Sequence, residues 1–128
     1  MAPVPYQNGY GSTPAPVCQI ELSWRGNRIN APALVDSGAS GTLIPRFVVV
    51  ALGLTQFGER RVSGVFGPQH MAPLYRVDLD FLGFAVQALV VTAPPPAQPD
   101  RAYVLVGRDI LNRYTTTLSG PLQHFSVQ

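Results

Sequence analysis

Lysine is absent from this 128-residue chain, and cysteine and histidine are nearly so, with one and two copies. The single Cys18 excludes an internal disulfide framework. One cysteine and two histidines cannot assemble a metal cluster, so no cofactor is expected. A lone thiol fits the reducing cytoplasm best, although the segment is also compatible with a piece of a longer, membrane-anchored chain. Charged residues make up only 12% of the chain, about half the usual share of roughly 25%. The nine basic residues, all arginine, are scattered, and only Arg60 and Arg61 are adjacent. No nucleic-acid footprint is therefore visible. No long hydrophobic run occurs either: the stretch from Phe81 to Val91 is broken by Gly83 and Gln87 and is too short to span a bilayer. Residues 1–16 have neither a basic stretch nor an apolar core, so no signal peptide is expected.

What is present is an apolar fraction of 46% in a chain of single-domain length. So little charge on a chain of this size suits a surface partly covered by a partner. Residues 1–16, rich in Pro, Gly, Ser and Asn, read as a flexible arm or linker, and the folded domain as residues 17–128. Ile20, Leu22 and Trp24 alternate with polar residues, the period-two pattern of a half-buried strand. Arg25-Gly26-Asn27 is turn chemistry, and Ile29 to Val35 returns as a second strand, with Pro32 marking an edge or a bulge. Thr42 to Ile44 reads as a short strand, and Pro45 opens a helix, Arg46 to Leu52, that Gly53 can cap. Strands are expected over Arg60–Ser63, His70–Phe81, Phe84–Thr92 and Tyr103–Val106. A proline-rich surface loop, Ala93 to Pro99, precedes the last of these. A short helix, Ile110 to Tyr114 capped by Asp109, and a final hairpin turning at Ser119-Gly120-Pro121 complete the chain. The fold class is all-β: a small closed barrel or folded-over sheet with one or two short helices.

Among the acids, Glu21, Glu59, Asp78, Asp80 and Asp100 occupy polar strand or loop positions, where a solvated side chain suffices. Asp36 differs. It follows the apolar run Ala33-Leu34-Val35 and enters Ser37-Gly38-Ala39-Ser40-Gly41, so it leaves a buried strand into a tight loop of small residues. A carboxylate there is partly desolvated, near backbone N–H groups and unobstructed, which suits acid–base chemistry. Asp-Ser-Gly by itself is ordinary turn chemistry. Val104 to Leu111 alone is a core strand running into a capped helix. Cys18 has no histidine to form a nucleophile pair with. Gly64 to Gly67 lacks the lysine of a phosphate loop.

Taken together, these segments resemble the retropepsin-like aspartic proteases, nearest to their bacterial and retroelement-type branch. Leu34-Val35-Asp36-Ser37-Gly38-Ala39 followed by Leu43-Ile44-Pro45 is similar to the active-site loop. Val104-Leu105-Val106-Gly107-Arg108-Asp109 is similar to the segment that crosses behind it. Ser63, Gly64, Val65, Phe66, Gly67 and Pro68 lie where such proteins carry a flap. The resemblance implies an aspartic endopeptidase acting as a homodimer on a peptide or protein substrate. Asp36 of each copy would be catalytic, because this chemistry needs two adjacent carboxylates and the chain carries one Asp-Ser-Gly. Ser37, Gly38 and Ala39 would support the loop, residues 63–67 would cover the substrate, and Gly107, Arg108 and Asp109 would brace the structure. Ser40 stands where the family usually has the acidic partner of Arg108. The alternative is the same fold kept as a non-catalytic dimerisation or peptide-binding module; a small-ligand barrel is a third reading.

Overall fold

A computed structural model describes residues 2–63 and 69–128. Strands β2 (Val17–Trp24) and β3 (Asn27–Val35) form a hairpin whose turn residues Arg25 and Gly26 have φ of 49° and 88°. Positive φ at both turn positions matches the right-handed twist of the flanking strands. From Cys18 to Leu22 buried and exposed residues alternate along β2, with Cys18, Ile20 and Leu22 buried and Gln19 and Glu21 exposed. Pro32 lies just before Ala33, where β3 begins to pair with another strand, so its missing N–H leaves no gap in that ladder.

Helix α1 (Arg46–Leu52) follows Pro45 and stops at Gly53, whose φ of 63° is the expected left-handed cap. Strand β4 (Gly58–Val62) runs antiparallel to β5 (His70–Phe81), and β5 turns at Leu82-Gly83 into β6 (Phe84–Thr92). Strand β5 is long enough to serve three neighbours. Its first half pairs with β4 and its second half with β2 on one edge, while β6 runs along the other. The β5–β6 ladder slips between Val77 and Leu79, where Ala88 adopts φ of 50° and gives its N–H to Asp78 Oδ1 at 2.8 Å. Asp80 Oδ1 similarly accepts the Gly83 N–H at 2.9 Å. Both carboxylates therefore hold irregular backbone as well as facing solvent.

The parallel pairing of β3 with β7 (Val104–Val106) completes a six-stranded sheet of order β4-β5-β2-β3-β7, with β6 flanking β5. All three β7 residues are buried, as a continuous apolar run predicts. The sheet folds over without closing into a barrel. Helix α2 comprises Arg108–Leu111, starting two residues before the expected Ile110. The Gly107 carbonyl already accepts the N–H groups of Ile110 and Leu111, and Asp109 sits inside the first turn with its side chain committed elsewhere. Strands β8 (Thr116–Ser119) and β9 (His124–Val127) form the final hairpin.

Within residues 1–16, read from composition as a flexible arm, β1 (Val4–Pro5) pairs with β9 and gives a second, three-stranded sheet of order β1-β9-β8. The Tyr6 N–H reaches the Gln123 carbonyl at 2.8 Å, so Val4 to Tyr6 are tied to the last hairpin by backbone bonds that composition does not report. One hydrophobic core joins both sheets and includes Ile20, Leu22, Val48, Val77, Phe81 and Phe125. Fully burying a side chain of this size stabilises by roughly 1.5–3 kcal/mol. Among the described residues no helix is long and apolar enough to cross a membrane.

Candidate active site

Asp36 leaves the end of β3 half-buried, with Ser37 and Gly38 exposed beyond it. Its own N–H is bound to the Val106 carbonyl at 3.0 Å, which fixes the loop's root to β7. Oδ1 accepts the Gly38 N–H at 2.9 Å, and the Ala39 N–H reaches the Asp36 carbonyl at 3.2 Å. These bonds curl residues 36–39 into a tight turn around the carboxyl. Among the described residues nothing donates to Oδ2. One oxygen is oriented and the other is open.

The loop is braced from behind by the β7–α2 junction. The Arg108 N–H is bound to the Ala39 carbonyl at 2.9 Å, and its guanidinium Nη1 to the Ser37 carbonyl at 2.8 Å. Arg108 is thus partnered by loop carbonyls, which explains how the site dispenses with an acid at position 40. Gly107 is placed so tightly that a Cβ would lie 2.6 Å from both C and O of Gly41 and 3.0 Å from the Ala39 carbonyl oxygen. No side chain fits there.

Asp109 does more than the packing expected of it. Its Oδ2 accepts the Thr42 N–H at 2.9 Å and its Oδ1 the Thr42 hydroxyl at 2.8 Å, while the same hydroxyl accepts the Gly107 N–H at 3.3 Å. Thr42 is fully buried. A hydroxyl and a carboxylate in that setting are tolerable only because both are satisfied. Leu43 then exchanges backbone bonds with Leu105 at 3.0 and 2.9 Å, and Ile44 donates to the Thr92 carbonyl at 2.8 Å.

The chain from residue 20 to residue 110 matches the family model described as aspartyl protease. The chain belongs to the aspartyl protease family. Its fold is shared with a retropepsin-like aspartic protease from Rickettsia conorii at 15% identity, with a TM-score of 0.61, covering 87% of this chain and 90% of that one. Simian foamy virus protease is similar at 20% identity and a TM-score of 0.52, over 74% of this chain and 92% of that one. The foamy viral protease–reverse transcriptase aligns at 22% identity and a TM-score of 0.52 over 76% of this chain, which spans only 15% of that longer polypeptide. No curated relative matches the sequence.

In this family member, Asp36, Ser37, Gly38 and Ala39 are brought together with Gly107, Arg108 and Asp109. Ser63 lies beyond β4, exposed; the other flap residues, Gly64, Val65, Phe66 and Gly67, fall outside the described residues. Sequence reasoning overlooked Thr42, a lone hydroxyl before an apolar pair that carries no local mark of its role. It also overlooked Arg46 and its link to Asp100, which is exposed, as a solvated acid should be. Asp100 Oδ1 accepts the N–H groups of Arg46 and Arg101 at 2.8 Å each. The bond from the Arg46 N–H chiefly holds the Asp100 carboxyl below its ordinary pKa. Arg46 did carry a signal: a cation at the first position of a helix opposes the macrodipole and calls for a partner elsewhere.

Proposed function

We propose that this chain is an aspartic endopeptidase that works as a homodimer, with Asp36 of each copy sharing one water. The supporting observation is the unequal use of two carboxylates. Asp109 has both oxygens engaged by Thr42, whereas Asp36, half-buried at the root of an exposed turn, keeps Oδ2 open among the described residues. The loop therefore has one carboxylate available for reaction, and Asp109 is not its partner. The second comes from a second copy, whose two-fold axis sets the two Asp36 loops face to face.

Two carboxylates set face to face repel, so one is ionised and the other keeps its proton. The ionised group takes a proton from the water as it attacks the scissile carbonyl. The protonated group hydrogen-bonds to the carbonyl oxygen and stabilises its developing charge. Return of a proton to the amide nitrogen then releases an amine and a carboxylic acid. Exposed Ser37 and Gly38 permit close approach of the two loops. A groove of about 460 Å³, bordered by Val35, Ser37, Arg108, Tyr114 and Leu118, runs beside them and offers room for side chains of the other copy.

Incubation with denatured casein or a peptide library is expected to give fragments suppressed by pepstatin-type inhibitors and abolished by Asp36→Asn. A dimer that binds peptides and cuts none at any pH sinks the enzyme reading and leaves a peptide-binding module.

A further inference from the structure

A cleft of about 530 Å³ is linked through Leu43 to β7, the strand that roots the Asp36 loop. Leu43 lines the cleft and is bonded in both directions to Leu105, next to Val106, whose carbonyl holds the Asp36 N–H. Val62 and Ala72 add apolar wall beside Leu43, and Ser63 and His70 add polar groups. One whole side of the cleft is the proline-rich segment 93–103, which has no strand or helix over residues 93–102 to hold its shape.

Its shape is held by Arg46. The guanidinium Nη1 is bound to the Gln98 carbonyl at 2.7 Å and the Pro95 carbonyl at 3.0 Å, with the Pro94 carbonyl at 3.5 Å. The backbone of the same residue is tied to Asp100 Oδ1 at 2.8 Å. Proline has no N–H to donate, so a segment with four prolines in seven residues has few means of bonding to itself. Inside the segment the Gln98 N–H reaches the Pro95 carbonyl at 2.9 Å, and the carbonyls of Pro94, Pro95 and Gln98 converge on the one nitrogen Nη1 of Arg46.

We propose that Arg46 is a positioning residue for substrate selection: by clamping segment 93–102 it sets the width of a cleft that takes a large apolar side chain of an extended peptide. This rests on the reading of the chain as a peptide hydrolase, and it adds where selectivity is decided. Arg46 touches neither water nor scissile bond, so its loss should change which peptides are held more than how fast a held peptide is cut.

The test compares Arg46→Met, Asp100→Ala and Asp100→Asn with the natural chain on peptides varied between large and small apolar side chains. For Arg46→Met, KM for the preferred large side chain is expected to rise about tenfold with kcat within about twofold, and discrimination of large from small to shrink accordingly. Asp100→Ala should follow in the same direction. Asp100→Asn, which keeps an oxygen acceptor, should restore the natural pattern, a rescue that a purely charge-based role would not show. Unchanged selectivity in Arg46→Met, or an equal fall in kcat for every peptide, overturns the proposal. Should Arg46→Met fail to fold, the Asp100 pair decides. Should the natural chain cut nothing, the enzyme reading falls by itself. The clamp is then read from peptide affinities of Asp36→Asn with and without Arg46→Met, where equal affinities, or no binding at all, overturn it.

Discussion

The Asp36 loop and the terminal sheet are finished to different degrees. Around Asp36, Gly41 and Thr42, the loop and the β7–α2 junction bond to each other: Asp109 accepts from Thr42, Thr42 accepts the Gly107 N–H, and Arg108 holds the exposed Ser37 carbonyl. In the sheet β1-β9-β8, Thr116 Oγ1 and His124 Nδ1 are buried without a partner among the described residues. The outer edge of β8 is unpaired among the described strands, and Leu118 and Leu122 stand 48% and 70% exposed. One region is complete within a single chain. The other carries an open edge and apolar surface, which a second copy would cover in the proposed dimer. Under the proposed function, the chain shapes its carboxylate alone and leaves the pairing of carboxylates to association.

The widest separation between the regions should appear in Asp36→Asn. It keeps the turn, because the amide oxygen still accepts the Gly38 N–H, and is expected to reduce peptide cleavage by roughly 10³-fold or more without lowering the melting temperature. Retained cleavage in that variant would remove the braced loop from the chemistry. Next, Gly107→Ala drives a methyl into the Gly41 backbone and should cost about 3 kcal/mol in urea unfolding. Thr42→Val keeps the shape and deletes the hydroxyl, leaving the Gly107 N–H without its acceptor and Asp109 Oδ1 with the Ile110 N–H as its one donor among the described residues. A loss of about 2 kcal/mol is expected, and a neutral result would show that the brace is packing rather than hydrogen bonding.

Cys18 gives a control in the core outside both regions. Burial pushes its thiol up to about 11, from an ordinary 9.0. With the folded value above the unfolded one, this contribution is intact below pH 9 and is lost as pH rises toward 11. Unfolding free energy should thus fall by about 1 kcal/mol between pH 8 and pH 10, and Cys18→Ala should lose that slope. The smallest effect on folding is expected from Leu118→Asp, within about 0.5 kcal/mol for the separate chain. Sedimentation should nevertheless show weaker self-association. A strong fall in intrinsic stability would mean that Leu118 serves its own chain and would erase the contrast.

Much of the Asp36 side of this comparison was legible in the residues. Period-two alternation located β2, the turn at Arg25-Gly26 and the hairpin after it, and the bounds of β5 and β6 followed from the same pattern. Asp36 stood out because a buried strand runs straight into a loop of small residues. Helix α2 was misplaced by two residues because Asp109, a good cap by local rules, is claimed by Thr42, far away in sequence. Barrel closure was one of two shapes the strand pattern allowed, and the open, folded sheet is the one found. Strand β1 escaped notice because two residues paired with the far end of the chain leave no periodicity.

Local order in the sequence determined which segments are strands, where the chain turns, and which acid is set apart, since those depend on neighbours a few positions away. Only the tertiary structure decided that Thr42 and Asp109 tie the loop, that Gly107 admits no side chain, and that Arg46 clamps a segment some fifty residues on. Such contacts join residues whose proximity is set by the packing of whole strands, and no local pattern encodes a distance across the fold.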